Sequence, residues 1–274
     1  MRDEIVPVRE NLPLTGSHFL LTVESPWQAQ AARPGQFVML RLLGRSDILL
    51  RRPMSIFDVV GEGSPTLIRL LYKTVGRGTD AMARLKSGDR VGLLAPLGHG
   101  FFREDYQKQL GEVDEVVHLA GGIGIAALLT AARELSEQNI PQRLFHGGRS
   151  APDLVGWEDF RPYVTDTILA TEDGSRGHKG FVTAPFEDDL KKNREKRVLM
   201  MVCGPEPMLK ACAALARDYG HPCLISMENR MGCGVGVCLG CSVSVDGTGH
   251  GAYERVCTEG PVFWAEHLNW NTGT

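Results

Sequence analysis

Met231-Gly-Cys-Gly-Val-Gly-Val-Cys-Leu-Gly-Cys241, completed by Cys257, gathers four of the chain's seven cysteines at the spacing C-x4-C-x2-C-x15-C. The first three, Cys233, Cys238 and Cys241, are interleaved with Gly232, Gly234, Gly236 and Gly240. Thiolates are the soft ligands that iron–sulfur clusters take, and C-x4-C-x2-C with a distant fourth cysteine is a spacing that holds a [2Fe–2S] cluster. The glycines serve the same end. A loop wrapped round a cluster takes positive φ at several points, and its N–H groups must reach the inorganic sulfides without interference from Cβ atoms. Two other readings use the same residues. Zinc also takes four thiolates, usually as two C-x2–4-C pairs with less need of alternating glycine. Cysteines also pack as small buried hydrophobes, although four of them among glycines make a poor core.

Around that stretch, 274 residues suffice for two compact domains and a small appendix. A net charge of −3 and the lack of a Lys/Arg run argue against nucleic acid or a membrane surface as partner. The start, Met1-Arg-Asp-Glu-Ile-Val6, lacks the apolar core of a signal peptide. The longest mostly apolar run, Ala120 to Ala132, contains three glycines and is too short to span a bilayer. An odd, clustered set of cysteines does not look like a disulfide framework. A cytoplasmic location is expected.

Residues 1 to about 100 show short β-type runs broken by turn residues. Phe19–Val23, Gln36–Arg41, Thr66–Tyr72 and Arg90–Leu94 are strand candidates, separated by Pro26, Pro34-Gly35, Gly61-Glu-Gly63 and Gly88-Asp89. Such spacing predicts an antiparallel barrel or sandwich. Within it, Arg51-Arg-Pro-Met-Ser-Ile56 offers a cation, a rigid turn and a hydroxyl. An arginine can fork onto a pyrophosphate, and a serine can meet a polar ring edge. Tyr72-Lys-Thr-Val-Gly-Arg-Gly-Thr79 places Gly76 and Gly78 where backbone N–H groups can meet phosphate, with Thr79 starting a helix through Met82. Each segment alone also reads as an ordinary turn with exposed basic residues.

Val116–Ala120 then runs into Gly121-Gly-Ile-Gly-Ile125 and a helix expected over Ala126–Glu137. A strand, a glycine turn and a helix N-terminus together form an anion site suited to a nucleotide phosphate, although such turns also serve only to pack helix on strand. Arg143–Gly147, Thr167–Thr171 and Val198–Val202 are further strands. The last leads into Cys203-Gly-Pro-Glu-Pro-Met208 and a helix over Leu209–Tyr219. Alternating strands and helices imply a parallel sheet with ligands at the strands' carboxyl ends, where Cys203 would sit. Alone, Cys203 reads equally as a small buried thiol.

Taken together, Arg52-Pro-Met-Ser55, Gly76-Arg-Gly-Thr79, Gly121-Gly-Ile-Gly124, Cys203-Gly-Pro-Glu-Pro-Met208 and the clustered cysteines resemble the ferredoxin-NADP reductase superfamily. Met227–Cys241, Arg255-Val-Cys-Thr-Glu-Gly-Pro-Val-Phe263, Thr171-Glu-Asp-Gly-Ser175 and Lys179-Gly180 narrow this to something similar to the electron-transfer subunits of class 1B dihydroorotate dehydrogenase. The chain departs from the superfamily at Met54, often aromatic, and at Ala126-Ala127, usually Ala-Pro.

The resemblance implies an FAD-binding antiparallel barrel over 1–103, a Rossmann-like parallel α/β domain for NAD over 104–222, and a small [2Fe–2S] domain over 223–274. Arg52, Pro53, Met54 and Ser55 would contact FAD, with Ser55 near the flavin ring edge. Leu71, Tyr72, Lys73, Gly78 and Thr79 would hold the rest of it. Gly121, Gly122 and Gly124 would line the NAD(H) phosphates. Cys203, Gly204, Pro205 and Met208 would sit near the nicotinamide, Ser55 and Cys203 tuning the reaction. Cys233, Cys238, Cys241 and Cys257 would ligate the cluster. An FMN-containing catalytic subunit, two copies of each, is the implied partner, passing electrons through cluster and FAD to NAD+ in pyrimidine synthesis. Rivals are a subunit of an NAD(P)H:ferredoxin or hydrogenase-linked flavoprotein oxidoreductase, and a non-catalytic electron carrier. The tail from Phe263-Trp264 to Trp270 reads either as packing onto the barrel or as a partner interface.

Overall fold

The computed structural model describes residues 1–64, 66–246 and 252–270. Seven strands build its first sheet: β1 (Arg2–Pro13), β2 (His18–Glu24), β3 (Phe37–Leu42), β4 (Arg52–Ser55), β5 (Asp58–Val60), β6 (Leu67–Lys73) and β7 (Arg90–Leu97). Their order is β4-β3-β7-β1-β2-β6-β5, antiparallel throughout, with short helices α1 (Pro26–Ala31) and α2 (Arg77–Met82). Alternate residues of the strands, among them Leu21, Val23, Val38, Leu40, Ile68, Leu70, Val91 and Leu93, meet in the barrel core. Three strands, β1, β4 and β5, escape the turn-and-alternation signals. In β1 only Val6 and Val8 are buried, so its charged sequence hides a 12-residue strand. Arg52-Pro-Met-Ser55 is an edge strand rather than a rigid turn: Pro53 pairs with Met39 at the sheet's rim, where a missing N–H costs little.

The second layer follows α3 (Glu104–Leu110). It holds β8 (Glu115–Gly121), β9 (Gln142–Gly148), β10 (Asp166–Thr171), β11 (His178–Lys179), β12 (Val198–Cys203) and β13 (Cys223–Ser226), with helices α4 (Leu129–Glu137), α5 (Thr183–Lys192) and α6 (Glu206–Tyr219). After the hairpin β14 (Ser242–Val245) and β15 (Ala252–Arg255), the chain returns as β16 (Val262–Trp264). The sheet order is β11-β10-β9-β8-β12-β13-β16, parallel except where β16 lies antiparallel to β13. Every residue of β8 and β12 is buried, as expected of central parallel strands covered on both faces. Residues 223–226, expected to open the third segment, are a strand of this sheet instead. Their apolar run is buried against β12.

Two helix starts of this layer differ from expectation. A 3₁₀ turn covers Gly122–Ala127, and α4 begins only at Leu129, because the glycine turn is pressed against the backbone at Cys203 and Gly204. Helix α6 starts inside the Gly-Pro-Glu-Pro segment, since prolines are tolerated in a first helical turn. Phe263 and Trp264 belong to β16, so this part of the tail packs on the second sheet rather than on the barrel. The Trp264 ring meets Tyr106 edge-on at 5.1 Å. No helix among the described residues is long and apolar enough to cross a membrane.

Barrel and sheet meet through Leu20, Phe57 and Leu71 from one side and Ile125, Leu128, Leu154 and Trp157 from the other. At the edge of this contact Asp58, 4% exposed, accepts from Arg133 of α4 and from Arg69 at 3.2 Å, while Arg133 also donates to the Val59 carbonyl at 3.0 Å. Removing one partner of such a group strands the others. Asp58→Ala should therefore lower stability by about 2–3 kcal/mol, the arginines being partly open to solvent. A thermal melt of the purified variant reads this directly, and an unchanged transition would show that the ion pairs do not bind barrel to sheet.

Candidate functional site

The two barrel motifs converge. A Cβ on Gly78 would collide with Arg52 Nε, so the guanidinium lies across the bare glycine backbone. Arg52 donates to the carbonyls of Leu50 at 2.7 Å and Arg51 at 3.3 Å and meets no carboxylate among the described residues, whereas neighbouring Arg51 is held by Asp3 at 2.6 and 3.0 Å. Thr79 does not start α2. Its hydroxyl accepts from Val75 N (2.8 Å) and Gly76 N (3.2 Å) and donates to the Gly76 carbonyl, closing the turn from inside the helix.

The remaining barrel positions have different surroundings. Leu71 packs in the barrel–sheet contact, while Tyr72 points into the barrel, its hydroxyl donating to Asn11 at 3.1 Å and its ring stacked on Phe19. Any ligand outside the barrel meets only the backbone of Tyr72. Lys73 is ion-paired with Asp153 at 2.6 Å, tying the end of β6 to the second layer. Pro53, Met54 and Ser55 lie half-buried along β4, with Met54 against the barrel core.

At the carboxyl ends of β8 and β12 the glycine turn and the Cys203–Met208 segment touch backbone to backbone. A Cβ on Gly121 would stand 2.6 Å from Met208 Sδ and Pro205 Cδ; one on Gly124 would stand 2.5 Å from the Cys203 carbonyl oxygen; one on Gly204 would stand 3.0 Å from Gly121. Gly122 is different: φ is +50° and open space surrounds its missing side chain. The packing role and the open, ligand-facing role thus fall on different glycines of one turn.

Cys203 is fully buried beside Ser226, its partner in register on β13. Burial pushes its thiol well above the ordinary range, and the nearby Glu228 carboxylate pushes the same way, outweighing hydrogen bonds to Ser226 and Gly204. The group is an uncharged thiol at neutral pH. Glu228 is a residue that motif reading missed. It is open to solvent yet walled in by protein, and this desolvation raises its carboxyl pKa.

Cys233 and Cys238 interact through their side chains, as do Cys241 and Cys257, and among the described residues no three His, Cys, Asp or Glu gather as ligands of a single ion. A two-iron cluster takes two cysteines on each iron, whereas zinc takes four round one ion, so the pairing fits the cluster better. Backbone N–H groups already point at the sulfurs, Val235 and Cys238 at Cys233 Sγ (both 3.4 Å) and Gly236 at Cys257 Sγ (3.2 Å). Although burial opposes it, these donors bring the Cys233 thiol down to about 6, while burial and Cys241 push Cys257 up to about 12.

Positive φ at Gly234, Gly236 and Leu239 curls the loop, and Arg255, held by Glu259, clamps the Gly236 carbonyl at 3.0 Å. Gly234 also seats the loop on the barrel: a Cβ there would stand 2.5 Å from Met39 Cγ on β3. Cys238 is exposed between Val237 and Leu239, 80% and 62% exposed, whereas Cys241 and Cys257 are buried.

The family model for the iron–sulfur cluster binding domain of dihydroorotate dehydrogenase B matches residues 228–269, and one for the oxidoreductase NAD-binding domain matches residues 119–214. The dihydroorotate dehydrogenase B (NAD(+)) electron transfer subunit of Bacillus velezensis is 34% identical over 269 residues, covering 98% of this chain and 99% of that protein. Its counterpart from Desulforamulus reducens is 34% identical over 252 residues, 92% of each. This chain belongs to that electron-transfer subunit family.

Among solved structures, that of an NADH-dependent reduced ferredoxin-NADP oxidoreductase, described for flavin-based electron bifurcation, aligns with a TM-score of 0.83 at 30% identity, over 98% of this chain and 91% of its own. A ferredoxin NADP+ reductase from Neisseria gonorrhoeae shares the fold at a TM-score of 0.66 and 14% identity, over 80% of this chain and 92% of its own. The family places an oxidoreductase subunit's iron–sulfur and nicotinamide-nucleotide segments on the two regions just described.

The glycines of this electron-transfer subunit's turn should answer differently to a methyl group. Gly124→Ala, blocked by backbone, should lower stability by about 1–3 kcal/mol. Gly122→Ala should cost only the strain of its left-handed conformation, about 1–2 kcal/mol. Parallel thermal melts, with NAD+ titrations of both variants, check the order. A greater loss of stability for Gly122→Ala would overturn it.

Proposed function

We propose that this chain accepts electrons from an FMN-containing catalytic subunit that oxidises dihydroorotate to orotate, and delivers them to NAD+, in an assembly of two copies of each subunit. The observation that carries the reading is the seat of the cysteine loop. Gly234 presses on Met39, and Met39 pairs with Pro53 of the Arg52-Pro-Met-Ser55 segment, so the thiol loop and the flavin motif are one strand apart. When bound, FAD exchanges a hydride with NAD(H) and single electrons with a [2Fe–2S] cluster, converting between two-electron and one-electron currency.

In this reading the chain's own residues bind and orient. Arg52, lying over Gly78 and paired with no carboxylate among the described residues, meets the flavin pyrophosphate; Pro53, Met54, Ser55, Leu71, the Tyr72 backbone and Lys73 line the rest, and Thr79 holds their turn closed. Gly122 opens the nucleotide side of the glycine turn, while Gly121, Gly124, Gly204, Pro205 and Met208 set its distance from β12. Cys203, an uncharged thiol, shapes the nicotinamide side with Ser55 and forms no covalent intermediate. Cys233, Cys238, Cys241 and Cys257 would hold the [2Fe–2S] cluster. A reducing compartment, the cytoplasm, suits seven cysteines that form no disulfide among the described residues.

A second reading has a specific observation behind it: the similarity to the ferredoxin-NADP oxidoreductase structure allows the same machinery to serve a different electron-exchanging partner. Anaerobic absorption spectra settle the shared part. Flavin bands and a broad iron–sulfur shoulder, both bleached by NADH, are expected. A colourless protein, or a flavin that ignores NADH, would defeat both readings. Co-expression with an FMN-containing dihydroorotate oxidase then separates them, since only the first predicts dihydroorotate-dependent NAD+ reduction. Cys203→Ala should slow NADH reduction of the flavin by about tenfold or more while leaving flavin and cluster content unchanged. Stopped-flow traces identical to wild type would remove Cys203 from the site.

A further inference from the structure

His146, next to last but one on β9, is fully buried, in register with Ala120 on β8. Its Nε2 lies 3.0 Å from the carbonyl oxygen of Gly122. A carbonyl only accepts, so this bond requires the proton on Nε2. Burial brings the ring down to about 4, so it stays neutral near pH 7, with Nδ1 left as a bare acceptor. That atom is buried and has no partner among the described residues. An unpaired buried acceptor costs stability, and an aliphatic side chain at this buried position would avoid the cost.

What the imidazole holds explains its presence. The carbonyl of Gly122 and the N–H of Ile123 belong to one planar trans peptide and point in opposite directions. With the carbonyl drawn to His146, the Ile123 N–H points away from the imidazole. The first N–H groups of a helical turn lack acceptors within it, and Ile123 is the second residue of the Gly122–Ala127 turn. The flanking glycines cannot hold this peptide by themselves. Gly121 and Gly124 are wedged against Met208 and Cys203, but Gly122, with a left-handed φ and open space where a side chain would stand, has no side chain of its own to anchor its peptide.

We propose that His146 is a positioning residue for nicotinamide-nucleotide binding, orienting the Gly122–Ile123 peptide so that the Ile123 N–H is presented to the anionic diphosphate. The inference rests on the reading of the glycine turn as the NAD(H) site. It assigns to a residue outside every glycine and cysteine motif the task of organising one of those motifs before the ligand arrives. Because the imidazole is neutral, it acts through hydrogen bonding rather than through its charge.

The test uses the holoprotein with FAD and cluster in place and three forms: wild type, His146→Leu and His146→Gln. Leucine removes the donor, whereas the glutamine amide nitrogen can reach close to the position of Nε2 and donate. His146→Leu should weaken NAD+ binding about three- to tenfold, the range of one neutral hydrogen bond. It should raise KM for NADH in flavin reduction with kcat nearly unchanged, and leave flavin and cluster spectra as in wild type. His146→Gln should recover most of the affinity. Leucine binding NAD+ as wild type does, or glutamine failing as leucine does, would overturn the inference while leaving the nucleotide site standing. Loss of affinity together with altered flavin or cluster spectra would show a merely structural role and overturn it as well. A wild-type holoprotein that binds no NAD+ would overturn the nucleotide reading itself, and this inference with it.

Discussion

The contact between Gly234 and Met39 is the constraint on which the arrangement depends. A loop of thiols far from the barrel would be an independent electron store; pressed onto β3, it stands next to the strand that carries Arg52-Pro-Met-Ser55. Any side chain at position 234 would have to push Met39 aside and hold a left-handed φ as well. Arg255 and Glu259 fix the loop from its other side through the Gly236 carbonyl, so its curvature does not depend on the sulfurs alone. Preorganised N–H groups aimed at Cys233 and Cys257 are the backbone's share in stabilising thiolate ligands.

A second close approach organises the nucleotide side. Where β8 and β12 end, Gly121, Gly124 and Gly204 allow two main chains to meet with no side chain between them, with Cys203 buried at the end of β12. Barrel and sheet are then locked by a mixed contact, apolar at the centre and ionic at Asp58 and at the Lys73–Asp153 pair. This division of labour, with rigid strands holding short binding loops, suits chemistry that needs cofactors at fixed separations.

Much of this was legible in sequence because the decisive residues are those whose chemistry leaves few alternatives. Four thiols at one spacing, glycine turns directly after apolar strands, and alternation in β2, β3, β6 and β7 each have a local physical cause. What stayed hidden depended on partners remote in the chain. Strand β1 is too charged to read as a strand until β7 and β2 lie on either side of it. Thr79 looked like the start of a helix and instead closes the turn before it, because the hydroxyl reaches back to Val75 and Gly76. Tyr72 sits in a binding motif, yet alternation sends its side chain into the barrel. His146 and Glu228 carry no motif.

The last strand of the parallel sheet comes from beyond the cysteine loop. Until residues 262–264 are made and folded back, β13 presents a bare, apolar edge of the kind that pairs with other chains. The whole cysteine segment lies between that edge and the strand that covers it, so the long-range pairing closes late and at an entropic cost set by the intervening chain. The thiol loop is thereby also a folding linker: a segment that wraps compactly shortens the effective distance over which the sheet must find its final strand.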